Sequence, residues 1–111
     1  MSTEFCIVLS TCPEGDTAES LARGLVAEHL AACVNIVPGL VSIYSWKDQI
    51  EISGERLLLI KTRRSAFESV KAYLHRHHPY DLPEIIAVPI EAGLPDYLGW
   101  IDAWLRPSSG T

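Results

Sequence analysis

With 111 residues the chain has room for one domain, and residues 1–111 read as a single unit. Fourteen Asp and Glu against nine Lys and Arg make it mildly acidic, which repels a phosphate backbone and excludes nucleic-acid binding through a basic face. No apolar run approaches the ~20 residues of a membrane span, and Met1–Glu4 carries no basic stretch, so the cytoplasm is the expected compartment.

Phe5-Cys6-Ile7-Val8-Leu9 is a short apolar run of the kind that forms a covered strand. Pro13 and Gly15 break it, and Asp16 followed by Glu19 reads as a capping box. Ala18, Leu21, Ala22, Leu25, Val26, His29 and Leu30 then fall on one stripe of a helix. From Ala32 to Trp46 the pattern turns to β, with Pro38-Gly39 as a bulge or bend. Lys47-Asp48-Gln49 makes a hairpin tip, and Ile50–Thr62 is the returning strand.

Ser65 and Glu68 read as a second capping box. The helix behind it places Phe67, Val70, Tyr73, Leu74 and His77 on one side, and Pro79 ends it. Glu84–Ile90 is a last strand, kept to an edge by Pro89. Tyr97, Leu98, Ile101, Trp104 and Leu105 follow at helical spacing, with Trp100 and Trp104 read as packing residues. The tail, residues 106–111, is expected to fray. Cys6, Cys12 and Cys33 make neither a disulfide framework nor a zinc-finger spacing.

The order β-α-β-β-α-β plus a C-terminal helix predicts an α/β (α+β) domain, a ferredoxin-like sandwich with helices on one face. The fifteen residues from Ala32 to Trp46 would span roughly 50 Å if extended. A compact domain of this length has a diameter of roughly 35 Å. Part of the hairpin is therefore expected to project, and Val41, Ile43, Tyr44 and Trp46 then need a neighbouring subunit to cover them.

Five blocks carry a family resemblance. Ala31-Ala32-Cys33-Val34-Asn35-Ile36, Tyr44-Ser45-Trp46, Leu59-Ile60-Lys61-Thr62, His78-Pro79-Tyr80-Asp81-Leu82-Pro83-Glu84-Ile85-Ile86 and Tyr97-Leu98-Gly99-Trp100 together resemble the CutA divalent-cation-tolerance family, from about Val8 to about Leu105. The resemblance implies a PII-like homotrimer in which hairpin arms complete the neighbours' sheets. It also implies a response to copper and other divalent metal ions, with no settled enzymatic activity.

The family's copper ligands, a paired His-His and a cysteine near the end of the first strand, map onto His77, His78 and Ser10. Serine thus occupies the cysteine position, and Cys12, two residues on, is the available thiol. Imidazole suits copper, although histidines in a last helical turn also satisfy terminal carbonyls without a metal. The resemblance places Asn35, Trp46, Lys61, His78, Tyr80 and Glu84 toward an inter-subunit cleft. There they could bind a small molecule, or form an interface network in which Lys61 and Glu84 satisfy each other. No phosphate-cradling glycine loop and no nucleophile-base arrangement is present, so catalysis is not expected. Three readings stay open: a copper-binding tolerance protein, a PII-like regulator with a cleft ligand, and an assembly module without a ligand.

Overall fold

The structure, a computed structural model, describes residues 4–106. Its elements in chain order are β1 (Phe5–Pro13), α1 (Thr17–Ala27), β2 (Cys33–Trp46), β3 (Gln49–Arg63), α2 (Phe67–His77), β4 (Ile86–Pro89) and α3 (Pro95–Trp104). The sheet runs β2-β3-β1-β4 with every adjacent pair antiparallel, the ferredoxin-like arrangement expected from the element order.

Alternation in β1 and β3 sets the two faces. Cys6, Val8, Ser10 and Cys12, with Leu58, Ile60 and Thr62, are buried toward the helices. Ala18, Leu21 and Leu25 of α1 and Val70 and Leu74 of α2 close this core. Ile7, Leu9, Leu57, Leu59 and Lys61 lie on the opposite, open face, and all five are only half-buried.

The β2–β3 ribbon carries the long dimension, giving extents of 44 × 25 × 24 Å. Its register shifts between Val37 and Leu40, where Gly39 takes φ +77°, so the expected bulge is real. One extra residue reverses the parity of β2. Val34 and Ile36 face the core before the bulge, and Val41 and Ile43 keep the same side after it. The ribbon's apolar face thereby continues the domain core beyond the reach of the helices. Val41, Ile43, Ile50 and Ile52 are 64, 68, 79 and 68% exposed. The tip is a two-residue turn, Lys47-Asp48, both at positive φ as a type I′ turn requires.

Several local expectations are corrected. Asp16 does stand at the α1 N-cap, but its side chain caps nothing. Ser65 and Glu68 make no capping box, because Arg64–Ala66 winds as a 3₁₀ turn and Ala66 is the N-cap of α2. α1 stops at Ala27, not Leu30. His29 adopts φ +59°, while Leu30 and His29 donate to the Leu25 and Val26 carbonyls, a Schellman ending. β4 has four residues, not seven, and as expected it lies at the sheet edge.

Pro95 opens α3 at its first turn. The far end of α3 clamps onto α1: Trp104 stacks on His29 at 4.0 Å, its indole donates to the Val26 carbonyl, and Arg106 donates to the Glu28 carbonyl. Trp104 packs as expected, whereas Trp100 is more than half exposed. Arg106 begins the expected tail, and the rest of that tail, 107–111, lies outside the described residues.

Candidate functional site

The end of α2 delivers His77 and His78 in opposite directions. Pro79 forces His78 out of the helix into extended backbone, φ −77° and ψ 140°. His77 stays on the helix, exposed, its ring tilted on Tyr73 at 4.4 Å. It lines an open cleft of about 360 Å³ with Asp16, Thr17, Ser20, Leu21, Tyr73 and Pro79.

His78 turns inward and is only 8% exposed. Its Nε2 donates to the Thr11 carbonyl at 2.9 Å, and its Nδ1 accepts from the Tyr80 amide at 3.1 Å. Thr11 lies two residues beyond Leu9, where the pairing of β1 with β4 stops. The ring therefore closes a sheet edge that β4 leaves open, and both of its nitrogens are in use.

Cys12 stays on Ser10's side because β1 remains extended through Pro13. Both side chains are buried among core residues. The Cys12 thiol lies 3.8 Å from the Arg56 carbonyl, and the Ser10 hydroxyl has no hydrogen-bond partner among the described residues. Burial pushes the Cys12 thiol up; the Glu55 charge adds to this and Arg56 opposes it. A neutral buried thiol is a weak ligand at neutral pH. His77, His78 and Cys12 thus do not converge within one chain, and no three His, Cys, Asp or Glu side chains among the described residues are grouped to hold a metal. This geometry does not fit a preformed copper centre.

Of the six cleft candidates, one chain brings together only His78 and Tyr80, whose rings lie 4.8 Å apart. Their partner is a residue the sequence did not single out. Glu55, on β3 opposite Pro13 and Leu40, is 5% exposed and accepts from the Tyr80 hydroxyl at 2.7 Å. Burial, then the Glu55 hydrogen bond and charge, push the Tyr80 phenol well above its ordinary value. Only the twenty-five-residue separation joined by a loop creates this pair, so no local pattern could reveal it.

Lys61 projects on the open face with its ammonium 5.8 Å from the Tyr97 ring centre. It forms no ion pair with Glu84 among the described residues, so the mutual satisfaction of those two is not made within one chain. Asn35 and Glu84 are exposed, and Trp46 sits at the hairpin tip opposite Gln49. Tyr44 bonds to Ser53 at 2.9 Å on the ribbon face that Glu55 shares.

Known proteins share this fold and much of this sequence. The frog (Xenopus laevis) "Protein CutA homolog" is 48% identical over 91 residues, which cover 82% of this chain and 60% of that protein's length. The "Divalent-cation tolerance protein CutA" of Thermus thermophilus is 48% identical over 95 residues, covering 86% and 92%. Among solved structures, CutA from Xylella fastidiosa superposes with a TM-score of 0.91 at 44% identity, covering 94% of this chain and 100% of that one. The periplasmic divalent cation tolerance protein CutA from Archaeoglobus fulgidus gives 0.89 at 37%, covering 92% and 99%. Residues 6–104 match the CutA1 divalent ion tolerance protein family, and the chain belongs to it.

Proposed function

We propose that this chain is a divalent-cation-tolerance protein that works as a homotrimer, without catalysis, and meets copper or another divalent cation weakly. The observation that carries the reading is family membership across residues 6–104. The uncovered ribbon face supports the trimer, because four large β-branched side chains in water call for a partner surface. The cytoplasm is the proposed compartment; no helix among the described residues is long and apolar enough to cross a membrane.

For the metal, His77 is the ligand of first contact. Its imidazole is exposed, while His78 and Cys12 are engaged within the fold. Calorimetric Cu(II) titration tests this. His77→Ala is expected to remove most of the binding. Unchanged affinity in His77→Ala would end the assignment.

A second reading, a PII-like regulator holding a small ligand in an inter-subunit cleft, is favoured by the buried Glu55–Tyr80 pair beside the projecting ribbon. An assembly module without any ligand is the remaining reading, and it is the one left if neither a metal nor a small ligand binds.

A further inference from the structure

Among the described residues, Glu55 is a buried carboxylate with one neutral hydrogen-bond partner, the Tyr80 hydroxyl. Burying a carboxylate is costly unless a cation or several donors compensate it. Here the Tyr80 hydroxyl donates a single bond, and no Lys, Arg or His lies within ion-pair distance among the described residues. His78, next to Tyr80, brings no charge to the pair in this arrangement, since its Nδ1 accepts the Tyr80 amide. Arg56 pairs with Cys12 on the opposite face. Lys61 shares the Glu55 face but lies six residues along the strand, roughly 20 Å away.

The surface leading from Glu55 has a consistent chemistry. Past the bulge, the same face of the ribbon carries Leu40, Ser42, Tyr44 and Trp46 from β2, and Gln49, Glu51 and Ser53 from β3. It holds a second carboxylate, three hydroxyls and two aromatic rings. Among the described residues, the one cation at the ribbon's far end is Lys47, at the turn, 5.9 Å from the Trp46 ring centre. Carboxylate acceptors combined with aromatic faces bind ammonium and guanidinium groups. A divalent metal needs several anionic or imidazole ligands, and no such group of three is present among the described residues.

We propose that Glu55 and Tyr80, at the root of the ribbon, form the anchor of a site for a small organic cation bearing an ammonium or guanidinium group. The inference rests on the cleft reading given above and specifies the charge of its ligand.

The test uses the native full-length protein and Glu55→Gln, which keeps the Tyr80 hydrogen bond and removes the charge. Agmatine, succinate and magnesium chloride are titrated at matched ionic strength, with melting temperature, calorimetry and assembly mass as readouts. Agmatine is expected to bind saturably and raise the melting temperature, with at least about tenfold weaker binding in Glu55→Gln. Succinate and magnesium should do neither.

Equal agmatine binding in Glu55→Gln, or none to the native protein, overturns the proposal. Saturable succinate binding without agmatine binding also overturns it, yet leaves the cleft reading standing. An equal effect of magnesium makes the site a metal site. A loss of assembly mass in Glu55→Gln assigns the missing cation to a second copy of the chain; both results refute a small organic ligand.

Discussion

His78 closes the edge of β1 with one ring nitrogen and the following turn with the other, so its place in this fold is accounted for without a metal. His78→Ala leaves the Thr11 carbonyl and the Tyr80 amide without their partner, and is expected to cost about 1–3 kcal/mol in denaturant unfolding. His77→Ala, on an exposed ring, is expected to change stability little, so the two variants separate structure from metal contact. The pH dependence follows from Cys12 and Tyr80. Both ionise later in the folded protein than in the unfolded chain. The unfolded state therefore sheds its protons first, and these groups' stabilisation is complete below the ordinary thiol value of 9.0 and is lost as pH rises beyond it. Urea midpoints near neutrality and above about pH 10 are expected to differ, and Tyr80→Phe should shrink the alkaline loss, removing the phenol's share.

At the scale of elements, the close approach of α1 to α2 rests on Gly24. A Cβ there would overlap the Tyr73 hydroxyl, so Gly24→Ala has to displace the Tyr73 ring or separate the helices. It is expected to destabilise the fold by about 1–3 kcal/mol despite the better helix propensity of alanine, read as a lower melting temperature. The elements themselves were legible because periodicity reports burial. The stripe Ala18, Leu21, Ala22 and Leu25 is the buried face of α1, and the long β2 run with its Pro38-Gly39 interruption forms the bulged strand. Their ends were less legible. Asp16/Glu19 and Ser65/Glu68 match a capping pattern, but pattern alone does not orient a side chain toward free amides, and at both ends the cap bond is absent. His29 fell on the apolar stripe by spacing, yet it leaves the helix at positive φ because Trp104, seventy-five residues away, receives it.

The same distinction holds for the whole molecule. The sheet order and the projecting ribbon follow from the order and length of the strands, whereas Glu55 could not be picked out. Gly54-Glu55-Arg56 reads as a polar stretch of strand, and only the loop carrying Tyr80 across it buries the carboxylate. The copper residues were legible as residue types but not as a geometry, since Pro79 turns His78 away from His77. What one chain leaves unfinished is the ribbon: its apolar face carries the alternation of the core into water, and nothing among the described residues covers Val41, Ile43, Ile50 and Ile52. Trimerisation through that face is the central claim, and replacing Ile43 and Ile52 together by Ser is expected to weaken the assembly while leaving the domain folded, since neither side chain belongs to the core cluster. The most direct measurement is the solution mass of the native protein by sedimentation equilibrium at micromolar concentration. Three times the 12.3 kDa of one chain is the result this account predicts, and a clean monomer would contradict it.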